Sequence, residues 1–197
     1  LAHLVRMHEV KDLAYVSGKE TSVDITERYK AYKAVLEDNN IPFDSEKVFT
    51  IESCDYHCAY RFFSEYVKSG KKLPQGVACA NDLIALALLK VCVENKIKVP
   101  DEVKIIGYDN MEETQSTKPS ITTVNSSAEL LGSEAVNRLI HGVNPLQTLS
   151  VKSNPVLRQS CGCAYSTTSA QNLFTLQVLD DTNKKEEFDT HLETMGE

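Results

Sequence analysis

Two strand ends carry the polar side chains most able to do chemistry in this chain. Asn81-Asp82 follows the apolar run Val77-Ala78-Cys79-Ala80, and Asp109-Asn110 follows Val103-Lys104-Ile105-Ile106-Gly107 through Tyr108. Runs of this kind read as buried parallel strands, and in open α/β sheets ligands bind outside the carboxyl ends of such strands. An amide both donates and accepts hydrogen bonds, whereas a carboxylate only accepts. Two such ends side by side point to a cleft that grips a polar small molecule. A plainer reading of the same residues stands beside it. Asn81 and Asp82 suit the N-cap of a helix, and Asp109-Asn110 suits an Asx turn.

The elements needed to hold these ends follow from periodicity. Leu13-Ala14-Tyr15-Val16 predicts a first strand closing at Ser17-Gly18. A helix is expected from Asp24, with Asp24 and Glu27 at capping-box spacing and Ile25, Tyr29, Tyr32 and Leu36 turned to the sheet. Lys47–Ile51 predicts a second strand, Asp55–Ser69 a helix with Phe62, Phe63, Tyr66 and Val67 inward, and Gly76–Ala80 a third strand. The helix expected over Asp82–Asn95 is apolar nearly all round, so it must be covered on more than one side. A partner subunit and the rest of the same chain are both suitable covers. Val103–Gly107 is the fourth strand. Alternation of strand and helix up to this point predicts a doubly wound parallel sheet. Ile121–Val124 is a further short strand, and a helix begins after the spacing Ser126…Glu129. Val151–Arg158 holds room for one more strand around Pro155.

Bulk properties narrow the function classes. The 197 residues are 42% apolar and 25% charged, with a net charge of −7 at pH 7. Scattered Lys and Arg on an acidic chain do not make a phosphate-binding surface, so this chain is not expected to grip nucleic acid by itself. No apolar run has membrane-spanning length and no export signal is apparent, so a cytoplasmic location is expected. Leu1-Ala2-His3-Leu4-Val5-Arg6-Met7 reads as the last turns of a helix already under way, as expected of a fragment. Cys79 and Cys92 fall in apolar elements, as buried thiols do. Cys161-x-Cys163 is half a zinc pattern, but no second pair has matching spacing along the chain, so no metal and no cofactor are expected. His3, His8, His57, His141 and His191 do not gather near the strand ends. With no nucleophile elbow and no phosphate-binding glycine loop, the chain does not read as an enzyme.

With these motifs placed, the chain resembles the effector-binding domain of the lac repressor (LacI/GalR) family, which has a periplasmic-binding-protein-like fold. The resemblance rests on an ordered set: Leu13–Gly18, Arg28-Tyr29-Lys30-Ala31-Tyr32, Ile41-Pro42-Phe43-Asp44, Ala80-Asn81-Asp82, Val99-Pro100-Asp101-Glu102-Val103, Ile106–Asn110, Ile121–Val124 and Leu157–Cys161. It implies a sensing domain over residues 1–162. Residues from about 11 to 120 would form the carboxyl-terminal lobe, and about 121–162 would supply crossover segments and part of the other lobe. Residues 163–197 would be an acidic tail or helical linker.

The resemblance also implies that Arg28 donates to ligand, alongside Asn81 and Asp109, and that the effector is sugar-like or nucleoside-like. Arg28 could equally be a solvated helix residue paired with Asp24. Ala31 replaces the family's helix glycine, and Cys54 falls where many sugar-binding members carry a stacking aromatic. The function implied is effector sensing in a transcriptional regulator, and the apolar helix Asp82–Asn95 motivates a homodimer. A sensor joined to a cyclase or kinase module is the alternative, followed by a solute-binding protein.

Overall fold

Leu13–Gly18 forms β1, which is buried along its whole length, as a strand covered on both faces must be. The computed structural model describes residues 1–20, 22–142 and 151–163. In it β1 pairs in parallel with β2 (Val48–Ile51) on one side and β3 (Gly76–Cys79) on the other. β4 (Lys104–Ile106) continues the sheet, giving the order β2-β1-β3-β4. Gly18 lies opposite Ile51, Val16 opposite Cys79, and Ala78 opposite Ile106. All four carboxyl ends therefore open on one edge. The expected parallel α/β architecture is borne out.

Each crossover is a helix whose apolar stripe meets the sheet. After β1 comes α2 (Val23–Asp38), with Tyr32 and Leu36 buried. The Tyr32 hydroxyl donates to the Leu13 carbonyl at 3.0 Å, and the Tyr32 ring stacks on Tyr15 with centroids 5.6 Å apart. This helix starts one residue before Asp24. Its cap is Ser22, whose hydroxyl accepts from the Ile25 N–H at 3.3 Å. Asp24 instead lies in the first turn, where its charge favours the helix N-terminus. After β2, α3 (Tyr56–Lys68) buries Ala59 and Phe63, while Phe62, Tyr66 and Val67 are half-buried against the core.

After β3, α4 (Asp82–Glu94) buries Ile84, Ala85, Ala87, Leu88, Leu89, Val91 and Cys92. It is covered from within the chain, by α3 and by β3 and β4. Its apolar surround thus needs no partner subunit. Val93 is its large apolar residue left exposed.

Ahead of the sheet, α1 (Ala2–His8) packs Leu4 fully into the core. Beyond β4, α5 (Glu113–Ser116) leads to Thr122, which bridges Ile106 in parallel, and then to β5 (Thr123–Asn125). β5 pairs antiparallel with β6 (Asn154–Val156). The chain clusters into two units. Leu1–Asn125, with the described residues from Asn154 on, makes the first. β6 therefore groups with the main sheet's unit.

The second unit contains α6 (Ala128–His141), which buries no residue and exposes Val136, Leu139 and Ile140. The capping box expected at Ser126 does not form. Ser127 is the N-cap, in the left-handed region at φ 54° and without a side-chain cap bond. That backbone does not aim a hydroxyl at the first turn as an extended cap residue does. The tail expected over 163–197 lies outside the described residues from 164 onward. No helix among the described residues is long and apolar enough to cross a membrane.

Candidate functional site at the carboxyl edge of the sheet

Four loops meet where β1, β2, β3 and β4 end. Gly18 closes β1, and its N–H donates to Cys54 Sγ at 3.0 Å. The Cys54 N–H in turn donates to the Glu20 carboxylate at 3.0 Å. A Cβ on Gly18 would collide with the Glu20 side chain and stand 2.7 Å from the Cys54 nitrogen. Cys54 is therefore a packing and hydrogen-bonding residue that locks the β1 and β2 loops together. Burial pushes its thiol above the usual range.

Asn81 does two structural jobs. Its Oδ1 accepts from the Ile84 N–H at 3.0 Å, capping α4, and its Nδ2 donates to the Cys54 carbonyl at 2.7 Å. The N-cap role read from the sequence is thus present, together with a tether to the β2 loop that no local pattern announced. One lone pair of Oδ1 remains beyond these bonds.

Arg28, on the second turn of α2, reaches across the edge to β3 and β4. One guanidinium nitrogen donates to the Ala80 carbonyl at 2.6 Å. Another lies 3.6 Å from Asp109 Oδ1. Its Cζ stands over the Tyr108 ring, 3.8 Å from the centroid. Among the described residues its ion pair is with Asp109, not Asp24. Arg28 and Asp109 are thus brought together, and both keep solvent access, with side chains 22% and 39% exposed. Asp109 takes φ 111°, and its N–H donates to the Val124 carbonyl at 2.9 Å. Half-burial raises its carboxyl pKa, against the lowering pull of Arg28.

Beneath this pair sits a layer that sequence reasoning missed. Asp82 is fully buried, accepting from the Thr123 hydroxyl at 2.7 Å and the Met111 N–H at 2.8 Å. Burial pushes its carboxyl up to about 6. Gly107 must be glycine here, because a Cβ would collide with the Asp82 carboxylate. Arg158, 7% exposed, donates to the Thr114 hydroxyl at 2.9 Å, the Ile121 carbonyl at 2.8 Å and Asn110 Oδ1 at 2.6 Å. These groups fix the turn that presents Tyr108 and Asp109. The signal in sequence was a charged residue in an otherwise uncharged neighbourhood, which does not name its partners.

A second cluster lies away from this edge. His3 and His8 of α1 stand beside Cys161 and Cys163, and one ligand atom from each of the four lies within 4.8 Å of the others. The pair that Cys161-x-Cys163 lacks along the chain is supplied in space by histidines about 160 residues earlier. Burial lowers both imidazoles and raises the Cys163 thiol to about 11.

The fold has known relatives. The family described as periplasmic binding protein-like domain matches residues 1–161. The HTH-type transcriptional repressor PurR of Histophilus somni (strain 2336) is 28% identical over 137 residues, which is 68% of this chain and 40% of that protein. The chain thus spans less than half the length of that relative. The crystal structure of the transcription regulator CcpA of Lactococcus lactis superposes with a TM-score of 0.69 at 25% identity, over 81% of this chain and 59% of that one. The transcriptional regulator CelR–cellobiose complex has the same fold, with a TM-score of 0.69 at 24% identity over 81% and 49%. This chain belongs to the periplasmic binding protein-like domain family, on its LacI/GalR effector-domain branch.

Proposed function

We propose that this chain is the effector-sensing region of a LacI/GalR-type transcriptional regulator, taking a small polar, sugar-like or nucleoside-like ligand at the carboxyl edge of its sheet. The observation that carries this reading is the Arg28–Asp109 pair. It offers guanidinium donors and a carboxylate acceptor 3.6 Å apart, over the Tyr108 face, with both charges still open to solvent. A ligand hydroxyl or ring amide can satisfy both at once. Asn81 adds the remaining lone pair of its carbonyl oxygen and holds the two flanking loops. A structural relative in complex with cellobiose supports a ligand of this class.

Binding would be communicated by differential affinity for two states of the whole protein, with DNA contacted by a headpiece outside this sequence, in the cytoplasm. A homodimer belongs to the same reading, with an interface elsewhere than α4. No catalytic step is part of it.

The test is a thermal-shift screen of the intact protein against sugars, nucleosides and purines, repeated with Asp109→Ala. A ligand that binds the native state raises the melting temperature by mass action. A shift seen in the parent and lost in the variant supports the reading. A shift that survives in the variant, or none from any compound, sinks the site as assigned.

A further inference from the structure

The His3/His8/Cys161/Cys163 cluster has the dimensions of a metal site. His3 Nε2 lies 3.1 Å from His8 Nε2, 3.3 Å from Cys163 Sγ and 3.7 Å from Cys161 Sγ. His8 Nε2 lies 3.5 Å from Cys163 Sγ. A tetrahedral zinc ion, with bonds of about 2.3 Å to sulfur and about 2.0–2.1 Å to nitrogen, requires ligand atoms roughly 3.3–3.8 Å apart. Three of the four distances fall within that range, and the His3–His8 separation of 3.1 Å lies just below it. The histidine rings meet edge-on at 75° with their Nε2 atoms the facing pair, 3.1 Å apart.

The backbone supports the convergence. Cys161 ends a short 3-10 turn over Gln159–Cys161, and Gly162 follows at φ 101°. That left-handed residue lets thiols two positions apart turn toward one centre, a conformation a Cβ would strain. A Cβ on Gly162 would also lie 3.3 Å from the His8 ring. Cys161 is fully buried, while His3, His8 and Cys163 are half-buried. Neither thiol is in a disulfide.

A hydrogen-bonded group of neutral side chains is the plainer account. It explains pairs of contacts, but thiols are weak donors and acceptors. It does not explain why all four ligand atoms crowd within 4.8 Å.

We propose that His3, His8, Cys161 and Cys163 form a closed zinc site that fastens α1 to the segment following β6. Two soft sulfur ligands with two imidazoles favour zinc over magnesium or calcium. Four protein ligands leave no open position, so the role is structural and not catalytic. Binding converts both thiols to thiolates and releases two protons, and the dication with two thiolates is then neutral. The Cys161 thiol gives up its 3.2 Å bond to the Arg158 carbonyl. That carbonyl still accepts from the Thr122 hydroxyl at 3.1 Å. The clamp joins the two sequence extremes of the first unit, so it would hold the sheet's neighbours in register regardless of effector.

The experiment uses the intact protein, without a histidine tag, purified under reducing conditions. Zinc is measured by plasma mass spectrometry, and the zinc ion is exchanged for cobalt(II). The expected result is about one zinc per chain after dialysis, as a closed site holds. The cobalt form should show intense tetrahedral d–d bands and a thiolate-to-cobalt charge-transfer band. Removing zinc with a chelator should lower the melting temperature by about 5 °C or more, reversed by adding zinc.

His8→Ala and Cys163→Ser should each lose the stoichiometric zinc and the cobalt spectrum. Should Cys163→Ser fail to fold, His8→Ala and the parent's cobalt spectrum decide. Reduced protein that takes up no zinc and gives no cobalt spectrum, or variants that both retain zinc, would overturn the proposal. Neither result depends on effector binding.

Discussion

The guanidinium of Arg28 stands 3.6 Å from the Asp109 carboxylate while one of its nitrogens is bound to the Ala80 carbonyl at 2.6 Å. The pair is therefore tethered without being closed on itself. At this separation and exposure the ion pair contributes little to stability. Its cost in function should be larger. Arg28→Lys keeps the charge but loses the planar fork and its stacking on Tyr108. Affinity for the effector should fall roughly tenfold to a hundredfold, the worth of a charged hydrogen bond. Asp109→Asn should weaken binding comparably while leaving the unfolding midpoint nearly unchanged. Isothermal titration with the compound found by thermal shift checks this, and unaltered affinity in both variants contradicts it.

Asn81 serves two loops, so its variants separate two bonds. Asn81→Ala removes the α4 cap and leaves the Cys54 carbonyl without its donor. The expected loss is about 1–3 kcal/mol. Asn81→Asp keeps the cap acceptor and loses only the donor, so it should cost about 1 kcal/mol. Urea unfolding of the three proteins gives the ranking, and an Asp variant as damaged as the Ala variant would deny the cap its share.

Asp82 should make stability depend on pH. Its carboxyl is held at about 6, above the ordinary 3.8, because burial opposes ionisation. Between about pH 4 and 6 the folded state binds more protons than the unfolded state, so stability falls as pH rises through that window. The total is roughly 3 kcal/mol for a shift of this size. Asp82→Asn removes the titrating group and should flatten that part of the profile. Urea midpoints measured across the window test the slope, and a fall that persists in Asp82→Asn assigns it to another group.

Arg158 is the buried brace of the Asn110 turn. Arg158→Met preserves length and apolar volume but leaves the Ile121 carbonyl and Asn110 Oδ1 without that donor. Stability should drop by roughly 2–4 kcal/mol. Effector affinity should drop too, since Asp109 adjoins the same turn. A variant that binds effector normally would show that Asp109 is positioned without this brace.

How much could be read in advance depended on the range of the interaction. The four parallel strands, their order of appearance and the helices between them follow from apolar runs and helical spacing over a few residues, as in Val77–Ala80 and Tyr29-Tyr32-Leu36. Local caps were harder. Asp24 had the right spacing, but the tertiary path placed Ser22 in the extended conformation that caps. The all-round apolarity of α4 showed that it was covered, but only the packing showed that α3 and the sheet do the covering. Asn81 and Asp109 were visible because strand ends are local features. That Arg28 turns to Ala80, Tyr108 and Asp109 was not, and neither was the meeting of His3 and His8 with Cys161 and Cys163. The alternation of elements is written into the chain locally, because hydrophobic periodicity is a short-range property. The tertiary structure decided which polar groups meet, because contacts between residues 50 to 160 positions apart depend on register and crossover, which no local spacing encodes.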